Sequence, residues 1–120
     1  MTPIAKYSMR VTPQETAALT TRMQIGRIIH DARERLGLKQ HVLAAQVDLE
    51  SQGQISSIES GRLIPELKVA IKLERALHLP EFTLSTKVLE YLVEERLADV
   101  SRRAQQHHLP FQVHVNFNRR

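Results

Sequence analysis

Residues 38–61 read LKQHVLAAQVDLESQGQISSIESG. Two short segments of this stretch have the apolar spacing of a helix, and a few polar residues separate them. Ser51 stands three residues before Gln54, which is the spacing of a capping box and predicts that the second helix starts here. Gly61 predicts the left-handed residue that ends it. Helices shorter than about 12 residues are marginal in water, so the rest of the chain must supply a scaffold for both.

The second helix has two unlike faces when successive residues are placed about 100° apart around its axis. Ile55 and Ile58 lie on one face and predict contact with a core. The opposite face is small and uncharged. It carries Gly53, Ser56, Ser57 and Ser60, with Gln52 and Gln54 at its edges.

That composition suits a helix that enters the major groove of DNA. Small residues allow close approach, glutamine pairs with adenine through two hydrogen bonds, and serine bonds with any base. Carboxylates would be repelled by phosphate, and none occurs between Ser51 and Ile58. We therefore expect double-stranded DNA as the partner. The residues expected to read its bases are Gln52, Gly53, Gln54, Ser56 and Ser57.

The composition is that of a folded protein with an aliphatic core. The chain has 120 residues, of which 42% are hydrophobic and 25% are charged. The absence of cysteine excludes disulfides, thiolate catalysis and cysteine-based zinc sites. No apolar run approaches the roughly 18 residues of a membrane span, and no signal-peptide core is present. We expect a cytoplasmic, nucleoid-associated protein without a membrane partner.

The positive charge is concentrated in the first part of the chain. Residues 1–47 contain seven basic and three acidic residues, whereas residues 48–120 contain ten of each. The whole excess of +4 therefore lies in residues 1–47. This distribution favours a polyanion near that part; the alternative is a solvated surface with an incidental bias.

The N-terminal residues contain a strand pattern followed by a helix start. Residues 4–11 alternate with period two, which predicts a strand. Thr12, Pro13 and Glu15 are typical of an N-cap, a first helical residue and the acidic residue of a first turn. Apolar residues then recur at helical spacing up to Gly37. Two alternatives stay open, namely one helix over 13–36 or a break near residues 20 and 21.

Two further helices follow the quoted stretch. Pro65 begins the first of them and Pro80 ends it. The second has an apolar face too wide for a small core, which predicts contact with a second subunit; packing within the subunit is the alternative. The helix residues expected at the dimer interface are Leu89, Leu92, Val93, Leu97 and Val100.

The C-terminal residues predict a strand. Phe111, Val113, Val115 and Phe117 alternate with polar residues, as in a half-buried strand. A single strand needs another edge for its backbone donors and acceptors. That edge is either residues 4–11 or the same tail of a second subunit, and either pairing would serve dimerisation. An unpaired tail lying on the domain is the alternative.

From Ile25 to Pro80 the chain resembles the helix-turn-helix family of phage lambda repressor and Cro, also called the XRE family. The matching residues, in chain order, are Ile25, Gly26, Ile29, Arg33, Leu36, Gly37, Leu38, Gln40, Leu43, Ala44, Ile55, Ser56, Ile58, Glu59, Gly61, Pro65, Leu73, Ala76 and Leu77. The resemblance implies a mainly α fold with a five-helix lambda-repressor-like domain. It gives no account of residues 1–11 or 81–120, where the apolar spacing alone predicts a C-terminal helix plus short β-strand extension. We expect the helix-turn-helix domain at 22–80, an N-terminal arm at 1–21 and a dimerisation extension at 81–120.

The resemblance also implies roles for individual residues. Gln40 occupies the position whose amide contacts a phosphate, and Arg62 lies where basic side chains meet phosphate. Arg33 and Glu59 match an internal, structural ion pair. The residues expected at phosphates are Lys39, Gln40, Ser60 and Arg62.

Three departures from the family pattern affect the site. Asp48 lies near the place of a common glycine, and Lys39 replaces the usual serine or threonine N-cap. The stretch between Ala44 and Ile55 is one residue longer than usual, which leaves the base-reading register open by one residue.

We expect a homodimeric transcription repressor of bacterial, phage or mobile-element origin that binds an inverted repeat. The alternative is an antitoxin that regulates its own gene through the same helix-turn-helix and neutralises a cognate toxin. The histidines lack a metal-protease spacing, and neither a phosphate loop nor a nucleophile motif occurs. We therefore expect no enzyme activity, no metal and no cofactor.

Overall fold

The computed structural model describes residues 12–111, which form five helices joined by short turns. These helices are α1 (Pro13–Arg35), α2 (Gln40–Gln46), α3 (Gln52–Glu59), α4 (Leu67–Ala76) and α5 (Thr83–Gln106). No strand occurs within residues 12–111, so the mainly α class is confirmed there and the β extension is not supported. The strands expected at 4–11 and 111–117 lie outside the described residues, except for Phe111, which is not in a strand.

Helix α1 is continuous from its capping box to Arg35. Thr12 Oγ1 accepts the N–H of Glu15 at 3.1 Å, and Glu15 Oε2 accepts the N–H of Thr12 at 3.0 Å. The two threonines near the suggested break do not interrupt the helix. Thr20 donates to a carbonyl one turn earlier, and Thr21 donates to the Glu94 carboxylate of α5 at 2.5 Å. The structure therefore has the single helix and not the break. Helix α1 crosses residues 21 and 22, where we expected the N-terminal arm to end and the helix-turn-helix domain to begin.

Each of the five described helices ends at a left-handed residue. The following residue donates its N–H to the carbonyl five positions earlier, as in the Schellman motif. This ending turns the chain sharply and allows the short connections between helices. The left-handed residues are Gly37, Asp48, Gly61, His78 and His108, with φ between +55° and +79°.

The core is aliphatic and all five helices contribute to it. Ile55 and Ile58 of α3 are buried, as their spacing predicts. Leu84 and Val88 of α5 belong to the same core, so residues beyond 80 help to support α3. The almost completely buried aliphatic side chains are Ile25, Ile29, Leu43, Val47, Ile55, Ile58, Leu73, Leu77, Leu84 and Val88.

Helices α1 and α3 approach closely at Gly26. A Cβ atom on Gly26 would lie 2.6 Å from the carbonyl oxygen of Ile58 and closer still to that of Glu59. Both obstacles are backbone atoms of a packed helix, so neither can rotate away. The absence of a side chain at Gly26 therefore permits the observed crossing of α1 over the last turn of α3.

A buried carboxylate fastens α5 to α4. Glu74 Oε2 accepts hydrogen bonds from the backbone N–H of Ser85 at 2.7 Å and from Ser85 Oγ at 2.9 Å. The N–H groups of the first helical turn have no partner within the helix and carry partial positive charge. Glu74 therefore supplies both hydrogen bonding and charge at the start of α5.

Candidate nucleic-acid interface

Helix α3 starts at Gln52, with Ser51 as its extended N-cap residue. The side-chain oxygen of Gln54 accepts the N–H of Glu50 at 2.9 Å and that of Ser51 at 3.4 Å. The predicted capping box is confirmed. The helix begins at Gln52, so residues 47–51 form the connection between α2 and α3.

Asp48 supplies the left-handed residue of that turn. Its φ is +58°, the conformation for which glycine is usually favoured. Aspartate tolerates it better than most residues because its short polar side chain bonds locally. The carboxylate also accepts a hydrogen bond from Lys72 Nζ at 3.0 Å, which links the turn to α4. Asp48 therefore supplies the left-handed residue of this turn without glycine.

The two faces of α3 differ as the sequence predicts. Ile55 and Ile58 have 0% and 1% of their surface exposed. Gln52 and Gly53 are exposed, and Ser56 and Ser57 are partly exposed. The outward face thus presents amide and hydroxyl groups without a charged side chain.

Gln54 differs from the other candidate base-reading residues in its hydrogen bonds. Its side-chain oxygen is used by the two N–H groups of the capping box. Reading adenine through two hydrogen bonds would require that oxygen. The structure therefore shows Gln54 as a capping residue, and its base-reading role stays a prediction.

The candidate phosphate-binding residues lie at the ends of α2 and α3. Lys39 is exposed at the N-cap of α2, where its side chain makes no capping bond. At the other end of the site, Arg62 Nε donates to Ser60 Oγ at 3.0 Å, and Ser60 Oγ donates to the carbonyl of Ser57. Arg62 is otherwise exposed, so its guanidinium is available to an anion.

Glu59, at the end of α3, accepts hydrogen bonds from three side chains. Arg33 Nε lies 2.6 Å from Oε2, and Arg33 Nη2 lies 3.1 Å from Oε1. His30 Nδ1 and Gln40 Nε2 lie 3.0 Å and 3.3 Å from Oε1. Arg33 and Glu59, the expected ion pair, are 9% and 7% exposed in their side chains. This cluster joins α1, α2 and α3.

The electrostatics of the cluster stabilise its charged form. Burial on its own raises the pKa of Glu59, but hydrogen bonds from Arg33, His30 and Gln40 outweigh burial and lower it below 4.5. The hydrogen bond to Glu59 raises the pKa of Arg33. The hydrogen bond to Glu59 also fixes the orientation of the Gln40 amide.

Sequence reasoning missed two residues that join the site. His30 stands one helical turn before Arg33, so helical spacing applied to the expected ion pair could have found it. Arg22 Nη2 donates to the carbonyl of Arg62 at 2.8 Å, a contact across 40 positions for which no local signal exists.

No group of histidine and carboxylate side chains suited to a metal ion occurs among residues 12–111. Over the same part of the chain, each helix is too short or too polar to cross a bilayer.

A family model described as helix-turn-helix matches residues 29–84. This range includes the whole of α2, α3 and α4. No curated protein and no solved structure matches the chain significantly. The predicted resemblance to the lambda repressor and Cro type is confirmed, and the family is one of regulatory domains and not of enzymes. Over residues 29–84 the chain is therefore similar to the helix-turn-helix family, whose domains bind DNA in transcription regulation.

Proposed function

We propose that the protein is a homodimeric repressor that binds an inverted-repeat operator in the nucleoid. The observation that carries this proposal is the outward face of α3, which offers hydrogen-bonding groups without charge and is flanked by the cations Lys39 and Arg62. Base edges are read by neutral hydrogen-bonding groups, whereas phosphates attract cations. The neutral side chains in the middle of this surface thus match the base edges of a DNA groove, and the cations at its margins match the phosphates.

In this proposal α3 lies in the major groove and α2 crosses the phosphate backbone. Gln52, Ser56 and Ser57 contact base edges, and Gly53 allows the helix to come close. Lys39, Gln40, Ser60 and Arg62 contact phosphates on either side of the groove. Gln54 holds the start of α3 in place through its bonds to Glu50 and Ser51.

Support for a dimer comes from the two opposite apolar faces of α5. Its inner face carries Leu84, Val88 and Tyr91 into the core. Its outer face carries Leu89, Leu92 and Val93, which are 48%, 50% and 41% exposed, followed along the helix by the partly exposed Leu97 and Val100. A continuous apolar stripe of this kind is unfavourable in water and favours a protein contact. Packing of α5 against its symmetry copy would cover both stripes.

The function is tested by selecting bound duplexes from a random DNA pool with the purified protein. The expected result is one sequence motif arranged as an inverted repeat, with half-sites about one helical turn, or a multiple of it, apart. Recovery of unrelated sequences would contradict sequence-specific binding. Recovery of a single, unrepeated half-site would contradict the dimeric arrangement.

The dimer is tested by the Leu92→Asp variant, which introduces a charge into the middle of the outer face of α5. We expect the molar mass from light scattering to fall from that of a dimer to that of a monomer. Leu36→Asp is the control, because Leu36 is 40% exposed but lies at the end of α1. A monomeric wild-type protein would contradict the dimer and favour a different protein on this face, as in the antitoxin alternative.

A further inference from the structure

Arg22 lies where α1, the turn after α3 and α5 meet. Its Nη2 donates a hydrogen bond to the carbonyl oxygen of Arg62 at 2.8 Å. Its guanidinium carbon lies 5.8 Å from the centre of the Tyr91 ring of α5, within the range of a cation–π contact. One side chain therefore connects the turn that carries a candidate phosphate contact with the helix that carries the candidate dimer face.

The backbone of Arg62 is held on both sides. Its N–H donates to the carbonyl of Ser57 at 2.9 Å, and its own carbonyl accepts from Arg22 at 2.8 Å. The preceding Gly61 lies against α1, since a Cβ there would be 3.6 Å from Met23 Cγ. The exposed side chain of Arg62 thus projects from a fixed point.

Stability alone does not account for an arginine at position 22. Its Nε is buried and has no hydrogen-bond partner among the described residues. Burying a donor without an acceptor costs free energy, and an unbranched apolar side chain of similar length would avoid that cost. The favourable contacts of Arg22 are those that join the Arg62 carbonyl to Tyr91.

We propose that Arg22 is a positioning residue for DNA binding, which sets where Arg62 meets the phosphate backbone relative to the dimerisation helix. Arg22 itself does not touch DNA in this proposal. Its guanidinium holds the Arg62 carbonyl against α1 and rests on Tyr91. The proposal rests on the proposed function, because it takes α3 as the helix that binds DNA.

The test compares the Arg22→Met and Arg22→Lys variants with wild type on the operator selected by the wild-type protein. Arg27→Met is the matched control. Arg27 lies on the same helix, has 79% of its side chain exposed and pairs only with Asp31 among the described residues. The Arg27→Met variant removes the same charge as Arg22→Met and leaves the contact with Arg62 in place.

Arg22→Met is expected to lower operator affinity about tenfold, equivalent to one well-placed contact. It should also make the plot of log affinity against log salt less steep, with a slope smaller in magnitude by about 0.9, which corresponds to the loss of one phosphate contact. Arg22→Lys keeps a cation that can reach the carbonyl and should restore most of the affinity. Arg27→Met should change affinity by less than about threefold, because an exposed charge that makes no contact with DNA is screened by salt.

A double-mutant cycle separates positioning from a direct charge effect. Because Arg22 acts through Arg62, Arg22→Met should add less than about a twofold loss when Arg62→Met is already present. Additive losses would overturn the proposal. If Arg22→Met does not fold, Arg22→Gln replaces it in the same cycle.

Thermal unfolding of each variant shows whether Arg22 contributes only to stability and not to DNA binding. A lower melting temperature with unchanged affinity and salt slope, measured where the variant is folded, would overturn the proposal. Failure of the wild-type protein to select any duplex would overturn the proposed function as well. Selection by the wild type, together with unchanged binding by Arg22→Met, would overturn the role of Arg22 alone.

Discussion

Gly53 is exposed on the outward face of α3, and the space in front of its Cα is open. A Cβ atom there would meet only Ser51 Oγ at 3.5 Å, an ordinary contact distance. The fold therefore does not require glycine at this position, although glycine is less favourable than alanine in a helix by about 1 kcal/mol. What glycine offers is a surface without a side chain where α3 would approach the edges of the bases.

The Gly53→Ala variant separates stability from DNA binding at a single residue. We expect its free energy of unfolding to rise by up to about 1 kcal/mol, because alanine is the better helix former. Affinity for the selected operator should fall about tenfold, because the added methyl group would separate the helix from the bases. Chemical denaturation and titration of labelled duplex give the two quantities. A variant that is more stable and binds equally well would show that this face stays away from DNA.

Between elements, the crossing of α1 and α3 depends on a second glycine. Gly26→Ala brings the same gain in helix propensity as Gly53→Ala, but its Cβ would clash with the backbone carbonyls of Ile58 and Glu59. We expect a net loss of about 1–3 kcal/mol in the free energy of unfolding, as for other overpacked helix contacts. Gly53→Ala is the matched control in the same denaturation series. Equal stability of the two variants would contradict the close crossing.

The elements whose ends carry local signals were predictable from sequence. The capping pairs Thr12 with Glu15 and Ser51 with Gln54 mark the starts of α1 and α3, because each bond joins residues three positions apart. The continuity of α1 was not predictable, because Thr21 is a weak helix former whose hydroxyl is bound by Glu94, 73 positions away. Gln54 was predicted both as cap and as base reader; the structure confirms the cap, and the base-reading role stays a prediction.

The candidate site was predictable to the extent that a helical face defines it. The spacing of Ile55 and Ile58 identifies which side of α3 points outward, and this side contains most of the expected base-reading residues. The contacts that brace the site come from distant parts of the chain. Arg22 meets Arg62 across 40 positions, and periodicity along one helix contains no information on that contact. His30 meets Glu59 across 29 positions and could be found only through its helical spacing from Arg33.

At the scale of the whole molecule, the Glu59 cluster predicts sensitivity to acid. A carboxylate whose pKa is lowered by folding binds fewer protons in the folded state than in the unfolded one. The stabilisation from Glu59 is thus complete above its ordinary pKa of 4.5 and is lost as pH falls through the lower folded value. We expect the free energy of unfolding of the wild-type protein to fall in this acidic range.

Urea denaturation at a series of pH values checks this expectation with the Glu59→Gln variant. The variant should be less stable at pH 7 by about 3–5 kcal/mol, because Arg33 is left buried without its charged partner. Its stability should also depend less on pH below 4.5, the ordinary pKa of the lost carboxyl. Glu81→Gln is the control, since Glu81 is exposed, lies outside the cluster, and its removal should keep the wild-type pH dependence. Parallel curves for wild type and Glu59→Gln would contradict the assignment.

Whether the outward face of α3 reads DNA sequence is decided by measuring the affinity of Gln52→Ala for the selected operator and for a random duplex. Gln52→Ala should weaken operator binding on the order of 1–3 kcal/mol, relax the preference at one base pair and leave random duplex unaffected. Lys39→Ala, which removes a phosphate contact, should weaken both duplexes alike. If Gln52→Ala bound both duplexes as the wild type does, or lost affinity for both equally, base reading by α3 would be contradicted.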